Sequence, residues 1–330
     1  MLTKISTNID VFAQNFLAAK KAYIVNSCME ASACAAAFIG QTEPVNIEDL
    51  KSAKHLLRHS TGILSLLGNG NASQVVAAVV AMDPNPEEAL SRISDIHRAL
   101  DKQFSNSDYL VLAAVIIYQH CKPDEYGSVV DRTRDIYMLL HSDHPIITGR
   151  EDLANCALMA IAGFKPKVIA GRCEQDFQAI RKYFLQKNKV QFLACITSLF
   201  DGTSSEKAEA VELTRRILKE YGVRFDSSSF SIVAAIAMIV DKSDRSLVCG
   251  HIAEVSAKLK SIRGMGAMGV GKKIRNMIAA AIVIDAYADG KDVMAKNSAI
   301  SAIVSAVIAA ELAEICAVLT AGAALASASH

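Results

Sequence analysis

Two stretches of this chain are copies of one another, and this duplication limits the folds open to it. The segment Phe104–Gln119 reads FSNSDYLVLAAVIIYQ, and Phe225–Val240 repeats it as FDSSSFSIVAAIAMIV at an offset of 121 residues (225 − 104). The same offset continues downstream and pairs Leu153 with Ile274, Asn155 with Asn276 and Ile161 with Ile282. A repeat of this length predicts an array of similar structural units.

Each copy contains short apolar segments that alternate with amphipathic ones. The apolar segments, for example SQVVAAVVAM and DYLVLAAVIIYQ, are apolar on almost every side, and such helices must be covered all round. They begin near Asn71, Asn106, Arg150, Lys189, Ser227 and Gly271. The segments between them carry apolar pairs four residues apart, such as Ile96 with Leu100, which indicates helices with one buried face. The pattern predicts twelve helices in six pairs, in which each apolar helix is joined to the amphipathic helix after it.

The spacing of these segments indicates a fold class. Their starts are 35 to 44 residues apart (106 − 71 and 150 − 106), and a period of about 40 residues with two helices is typical of stacked helical hairpins such as HEAT and TPR repeats. Short connections such as Asp83–Pro86 predict antiparallel pairs. We therefore expect an all-α protein, an α-α solenoid of stacked antiparallel hairpins that forms a single domain over residues 1–330. Its parts are N-terminal helices (1–65), two three-hairpin halves (66–183 and 184–292) and an Ala-rich C-terminal helix (293–330).

Composition agrees with a helical protein in a reducing compartment. Hydrophobic residues make up 52% of the chain, Trp is absent and mean hydropathy is +0.26, a balance typical of Ala- and Leu-rich helices. The formal net charge of +1 argues against nonspecific binding to nucleic acid. The eight Cys are scattered without a CxxC pair, and the N-terminus lacks the apolar run of a signal peptide. We expect a cytoplasmic protein without a cofactor.

The sequence allows several roles for the Ala-rich C-terminal segment. Its charge-free part, residues 297–310, is about fourteen residues long and so falls short of the roughly 20 that cross a bilayer. We expect no integral membrane span. The segment could cap the array, pair with a copy of itself in a homodimer, or touch a membrane surface.

Several segments of helix-packing sequence are distinctive enough to compare with known families. They are FxxSxYLxLAA-like text at Phe104–Ala114, DRTRDIYMLLHSDHPIITGRED at Asp131–Asp152, KHLLRHSTGILS at Lys54–Ser65 and GMGAMGVGKKIRNMIAAAIV at Gly264–Val283. Together with the Ala-rich end, they resemble a bacterial family known as domain of unknown function 4003, over nearly the whole chain. The resemblance implies a single full-length unit, and it brings no activity, cofactor or catalytic residue.

A glycine-rich stretch comes close to a phosphate-binding motif. Gly266–Lys273 reads GAMGVGKK and nearly matches G-x-x-x-x-G-K-[ST]. However, Lys273 replaces the Ser or Thr that would hold Mg²⁺, and the preceding segment has a helical rather than a strand pattern. A glycine-rich turn before a helix can offer backbone NH groups to an anion, but the pattern favours a plain loop between hairpins.

Histidines form two short motifs that could carry chemistry. His55 and His59 have the i, i+4 spacing of a two-histidine metal site, yet no third ligand is evident and basic residues flank them. We therefore expect a solvated helix face and no metal site. His120 stands next to Cys121, but neighbouring helix positions point about 100° apart, so the two cannot act as a dyad on one helix.

Polar residues recur at equivalent positions of the two copies. Asn155 and Asn276 each lie within a nearly all-apolar segment, and a buried amide needs hydrogen-bond partners. We expect each to bind a loop carbonyl or backbone NH of the adjacent hairpin. Positive residues gather near the same helices, at Arg150 in one half and at Lys272, Lys273 and Arg275 in the other. These could form a basic rim that binds an acidic segment of a partner, or a solvated edge.

The sequence contains no evident set of nucleophile, base and orienting acid. We therefore expect a non-catalytic intracellular scaffold or a helical-repeat protein that binds a protein or peptide. One alternative is an enzyme or small-ligand binder with a pocket on the inner face of the stack, using Tyr118, His120 and Asp124. The other is a membrane-peripheral protein that uses the C-terminal helix.

Overall fold

Every regular element of the described chain is helical. The computed structural model describes residues 1–22, 28–59, 67, 72–105, 107–225 and 230–290, and these hold fourteen α-helices, one 3-10 turn and no strand. The helices are α1 (Leu2–Ala22), α2 (Cys28–Ala36), α3 (Ile47–His59), α4 (Ser73–Met82), α5 (Pro86–Asp101), α6 (Asp108–His120), α7 (Tyr126–Asp143), α8 (Leu153–Ile161), α9 (Pro166–Ile180), α10 (Lys187–Thr197), α11 (Ser204–Glu220), α12 (Phe230–Ile239), α13 (Arg245–Leu259) and α14 (Gly271–Gly290). The all-α prediction is confirmed.

Some predicted features fall where the structure gives no description. The predicted helix starts at Asn71, Asn106 and Ser227 and the Ala-rich segment 293–330 lie outside the described residues. Elsewhere the predicted starts agree closely with the observed ones. The predicted start at Gly271 is the first residue of α14, and the one at Arg150 is a 3-10 turn, Arg150–Asp152, that leads into α8.

Local chemistry sets where several helices begin. Pro86 and Pro166 open α5 and α9, where their fixed φ suits the first turn and their missing NH is no loss. Thr203 caps α11 by accepting a hydrogen bond from the Glu206 amide, and the Glu206 carboxylate accepts one from the Thr203 amide (3.0 Å). These are strong start signals because each one removes or satisfies a backbone NH group that has no partner within the helix.

The helices fall into two classes by burial. The inner helices are α2, α4, α6, α8, α10, α12 and α14, and the outer helices are α1, α3, α5, α7, α9, α11 and α13. In the inner helix α6, every residue from Leu110 to Ile117 is at most 2% exposed. In the outer helix α5, one face carrying Ile93, Ile96 and Leu100 is buried and the opposite face meets water. The two sequence patterns therefore correspond to two kinds of position.

Each outer helix packs more extensively against the inner helix that follows it than against the one before it. The pairs are α1 with α2, α3 with α4, α5 with α6, α7 with α8, α9 with α10, α11 with α12 and α13 with α14. The predicted pairing is therefore wrong by one helix. The prediction took the shorter connections as hairpin turns, whereas the packing follows the apolar face of the outer helix, which lies along its successor.

Contacts also run along each class of helix. Consecutive inner helices touch from α2 through α14, and consecutive outer helices touch from α1 through α13. One continuous apolar cluster extends from Ile5 in α1 to Ala288 in α14. The helices before residue 66 therefore follow the same alternation as the rest.

The first and last described helices meet. Helix α1 contacts both α13 and α14, the Lys4 Nζ lies 3.3 Å from the Asp285 carboxylate, and the Asn8 amide donates to the same carboxylate at 2.9 Å. Gly264, with φ +100°, lies in the α13–α14 connection, and a Cβ added to it would lie 2.9 Å from Cys28 Sγ. The two ends of the described array are thus held together by packing and by an ion pair.

The connections lie at two opposite ends of the helices. Connections that follow outer helices approach one another: Gln191, at the start of α10, donates through Nε2 to Thr148 Oγ1 in the α7–α8 connection at 3.0 Å. At the other end, the Asp241 amide after α12 donates to the Tyr287 hydroxyl near the end of α14 at 3.2 Å. The connections therefore form two sets, one after the outer helices and one after the inner helices. The two sets approach one another beside α11, where Tyr183 of the first set and Lys242 of the second line one groove. None of the described helices combines the length and the apolarity that crossing a bilayer requires.

Candidate functional site

The residues considered for an enzyme pocket have separate roles. The Tyr118 hydroxyl donates a hydrogen bond to the Asp83 carboxylate on the α4–α5 connection, and burial together with that bond raises its pKa. Burial lowers the pKa of His120 to about 4 and raises that of Cys121 to about 11. Asp124 is exposed on the α6–α7 connection. At neutral pH these groups are a phenol, a neutral imidazole and a thiol, so this corner offers no activated nucleophile.

The histidine pair lies beside a wide surface groove. The rings of His55 and His59 lie with their centroids 4.0 Å apart and their planes tilted by 37° on an exposed face of α3. A groove of about 940 Å³ separates α3 from the start of α5, and its lining includes Lys51, Ser52, His55, Leu56 and residues 84–88. Within the described part of the chain, no group of three or more His, Cys, Asp or Glu is placed to hold a metal ion. The groove is lined mainly by exposed residues of both charges.

A buried ion pair joins three helices. Lys207 Nζ of α11 lies 2.6 Å from the Asp176 carboxylate of α9, and both side chains are almost fully buried. Lys207 also donates to the carbonyls of Thr197 (3.1 Å) and Phe200 (3.3 Å), and the Thr197 hydroxyl donates to Asp176 at 2.7 Å. All three donors of the ammonium group are engaged. The pair is therefore a structural tie between α9, α10 and α11.

Other basic residues bind backbone carbonyls at or just after the C-terminal ends of inner helices. The hydrogen bonds run from Arg132 Nε to the Ala160 carbonyl (3.1 Å), from Arg172 Nη2 to the Phe200 carbonyl, and from Arg245 Nη2 to the Ala237 carbonyl (3.0 Å). Carbonyls at a helix C-terminus lack the amide partners that a continuing helix would supply, although the Ala160 carbonyl also accepts from the Gly163 amide at 3.3 Å. A cation at this end also complements the helix dipole. Sequence reasoning missed this use. In the sequence, such a contact is indicated by a basic residue in the first two turns of an amphipathic helix.

The proposed basic rim is only partly exposed. Arg150 and Lys272 are exposed and Lys273 is half-buried, but Arg275 is 6% exposed. Arg275 donates through Nη1 to the Met265 carbonyl at 2.9 Å, and burial lowers its pKa. The expectation that Arg275 belongs to an exposed edge is therefore wrong, because its position in the first turn of α14 directs it back under the preceding connection.

The glycine-rich stretch forms a loop that is closed on itself. The Val270 amide donates to the Gly264 carbonyl (3.0 Å), and the amides of Gly269 and Gly271 donate to the Gly266 carbonyl (3.1 and 3.0 Å). A Cβ at Gly269 would lie 1.8 Å from the Gly264 oxygen, so only glycine fits there. These NH groups donate to carbonyls of the loop itself, and the loop follows helix α13 rather than a strand. Both features differ from a phosphate-binding loop.

The duplicated asparagines occupy inner helices in both copies. Asn276 Oδ1 accepts a hydrogen bond from Ser256 Oγ at 2.7 Å, and its Nδ2 donates to the Arg224 carbonyl at 3.4 Å. Arg224 lies in the α11–α12 connection, so the amide ties α14 to the adjacent hairpin. Asn155 is 7% exposed in the first turn of α8.

Exposed charge separates between the two sets of connections. The basic face consists of the connections after α5, α7, α9, α11 and α13 with the adjoining helical turns. Its exposed basic residues are Arg98, Lys102, Arg150, Arg181, Lys182, Lys187, Lys219, Arg224, Lys258, Lys260, Arg263 and Lys272. The exposed acidic residues on its described part are Asp143 and Glu220. A chain whose charges nearly cancel therefore has one strongly positive end.

The opposite face has the opposite sign. The acidic face consists of the connections after α2, α4, α6, α8, α10 and α12 with the adjoining turns. Its exposed acidic residues are Glu43, Glu48, Asp49, Glu87, Glu88, Asp124, Glu125, Asp201, Glu206 and Asp241. Lys122, Lys165, Lys167 and Lys242 are the exposed basic residues on its described part.

The basic face also carries exposed apolar side chains. Ile146, Leu185 and Met268 are 96%, 100% and 105% exposed, and they lie on the α7–α8, α9–α10 and α13–α14 connections. Tyr183 and Tyr221 on the same face are 42% and 46% exposed. Single exposed apolar residues are common, but here three fully exposed ones lie on connections of the basic face.

Comparison with known proteins adds the family. No curated protein matches the chain, and no solved structure matches it. A family model described as "Protein of unknown function (DUF4003)" matches residues 15–313. This match covers most of the chain and agrees with the resemblance seen in its helix-packing segments. The chain therefore belongs to the DUF4003 family.

Proposed function

We propose that the protein is a non-catalytic helical-repeat protein that acts inside the cell and binds an anionic partner through its basic face. Its outer and inner helices would form a closed array of stacked antiparallel hairpins, with the ends joined through α1 and α14. The observation that carries this proposal is the concentration of exposed positive charge and exposed apolar side chains on one set of connections. Such a combination is typical of a binding surface.

The chemistry of the buried titratable groups supports a binding role over a catalytic one. Burial raises the pKa of Cys156 and raises that of Cys249 to about 12, and a hydrogen bond with Cys173 together with burial raises the pKa of Cys195. These thiols therefore stay protonated at neutral pH. His120 is neutral for the same reason. Catalytic groups are instead tuned toward working pH.

The groove between α3 and α5 favours a second candidate function. Its volume of about 940 Å³ and its mixed lining, with Lys51 and His55 opposite Glu87 and Glu88, suit a small polar ligand. This site is the remaining basis for the enzyme or small-ligand alternative. The membrane-peripheral alternative through residues 293–330 depends on a segment outside the described residues.

Affinity capture with charge-reversed variants tests the proposal. A variant carrying Lys182→Glu, Lys187→Glu and Lys272→Glu on the basic face should lose bound proteins or lipids that the unaltered protein retains from its own cells. Mass spectrometry of proteins and extracted lipids provides the readout.

The matched control carries Lys122→Glu, Lys165→Glu and Lys167→Glu on the acidic face, with the same change in net charge. It should retain what the unaltered protein binds, because it leaves the basic face intact. Identical captured sets for both variants would mean that the basic face is not the binding surface.

A further inference from the structure

The apolar tips of the basic face are held outward by anchored neighbours. Leu185 is fully exposed, whereas Phe184 beside it packs edge-on against Phe230 with ring centroids 5.4 Å apart. The Arg215 guanidinium also lies over the Phe184 ring, 5.8 Å from its centroid. The connection is thus fixed by one aromatic residue and presents the next residue to solvent.

The other two tips are built in the same way. Ile146 is exposed, and Thr148 two residues later is buried, donates to the Leu140 carbonyl (3.1 Å) and accepts from Gln191 (3.0 Å). Met268 lies at the tip of the closed glycine-rich loop, whose other methionine, Met265, is fully buried. Each tip therefore projects from a connection that is held to the core.

Exposed basic residues lie near each tip, and an exposed acidic residue, Asp143, also lies near Ile146. Leu185 lies between Lys182 and Lys187, both exposed. Met268 lies between exposed Arg263 and Lys272, and exposed Arg150 follows Ile146 on the α7–α8 connection. Aliphatic side chains flanked by lysine and arginine can enter the headgroup region of a bilayer while the charges remain with anionic headgroups.

We infer that the basic face docks on an anionic lipid bilayer surface, with Ile146, Leu185 and Met268 inserted at the headgroup boundary. This inference rests on the proposed function and names its partner. Three separated aliphatic tips do not make the contiguous apolar centre of a protein interface. Half-exposed Tyr183 suits the membrane interface, where tyrosine places its ring and hydroxyl in different surroundings. The Tyr221 hydroxyl is instead engaged by Ser246 Oγ at 3.2 Å.

Vesicle cosedimentation of the full chain tests the inference. The probe is phosphatidylcholine vesicles with or without phosphatidylglycerol, at low and raised salt. The unaltered protein should bind the anionic vesicles, more weakly at raised salt and not measurably without phosphatidylglycerol. A variant with Ile146→Ser, Leu185→Ser and Met268→Ser should bind at least about 100-fold more weakly, on the basis of about tenfold for each buried aliphatic side chain.

A matched control separates insertion at the basic face from general loss of apolar surface. Met138, Val168 and Leu247 are 50–56% exposed on outer helices away from the basic face. A triple serine variant at these positions should bind as the unaltered protein does. Circular dichroism of all variants should be unchanged, because the altered side chains do not contribute to the core.

The outcomes distinguish the inference from the function on which it rests. Absence of vesicle binding, or equal binding by the tip variant, would overturn the lipid inference. If the basic-face charge variant then still lost a captured soluble protein, the proposed binding function would stand with a protein as partner. If that variant captured everything the unaltered protein does, the proposed function would be wrong as well.

Discussion

Burial keeps His120 uncharged at the end of α6, where its pKa lies near 4. Its Nε2 is buried without a hydrogen-bond partner among the described residues. Asn276 and Lys207 show the other solution, in which a buried polar group is tied to carbonyls or carboxylates of neighbouring helices. Individual polar residues of the interior therefore either stay neutral or connect helices.

The His120 environment predicts a specific dependence of stability on pH. The unfolded state takes up a proton near pH 6.5, whereas the folded state resists it until about pH 4. The stability that neutral His120 confers is complete above pH 6.5 and is lost as pH falls toward 4. Urea unfolding should show a fall of about 2 kcal/mol between pH 7 and pH 5 that is absent in His120→Gln. Parallel pH profiles of the two proteins would show that His120 is solvated.

Sequence reasoning placed the duplicated asparagines but not Arg275. The repeat offset put Asn155 and Asn276 at equivalent positions of α8 and α14 because duplication preserves helix register. Arg275 is one residue away, and its charge suggested solvent exposure. Its burial depends on the fold of the preceding glycine-rich loop, which brings the Met265 carbonyl within 2.9 Å. The conformation of that loop cannot be predicted from the periodicity of the helices, so the burial of Arg275 could not be predicted either.

At the scale of helices, the alternation of inner and outer helices could be predicted from the sequence, because a helix covered on all sides is apolar all round and a helix covered on one side is amphipathic. Which helices pack together most extensively could not be predicted from the sequence. The connection of α6 to α7 is short, yet α7 packs on α8, because its buried residues Val129, Ile136 and Leu140 face that helix layer. Which neighbour a helix covers is decided by three-dimensional packing that a one-dimensional period does not encode.

The ion pair between α9 and α11 provides a test of helix packing. Lys207→Met would leave Asp176 buried without its cation, and the free energy of unfolding should fall by about 3–5 kcal/mol. The double variant Lys207→Met with Asp176→Leu should recover most of this loss, because both charges are removed together. Denaturant unfolding of the two variants measures the difference.

The control for this prediction is Lys242→Met, which removes an exposed lysine from the acidic face and should change stability by less than about 1 kcal/mol. A small effect of Lys207→Met alone would mean that water reaches Asp176 and that α9 and α11 are not packed as described.

For the whole molecule, contact between α1 and the last described helices has the largest consequence. Hairpins stacked in an open solenoid would keep the first and last helices apart, and a repeat period alone does not indicate whether the array closes. Here, Lys4 and Asn8 of α1 bind Asp285 of α14. Closure would confine binding to the two faces of connections, which differ in charge and in exposed apolar residues.

Zero-length carbodiimide crosslinking followed by peptide mass spectrometry tests closure most directly. It joins a lysine amine to a carboxylate only when the two are in contact, as the Lys4 Nζ and Asp285 carboxylate are at 3.3 Å. In dilute solution, we predict a crosslinked peptide from the monomer in which Lys4 is joined to Asp285, and this peptide should be absent in Lys4→Arg. A Lys51–Glu48 link should form in both proteins and shows that the reaction has worked. Recovery of the Lys51–Glu48 link without any Lys4–Asp285 link would contradict a closed array.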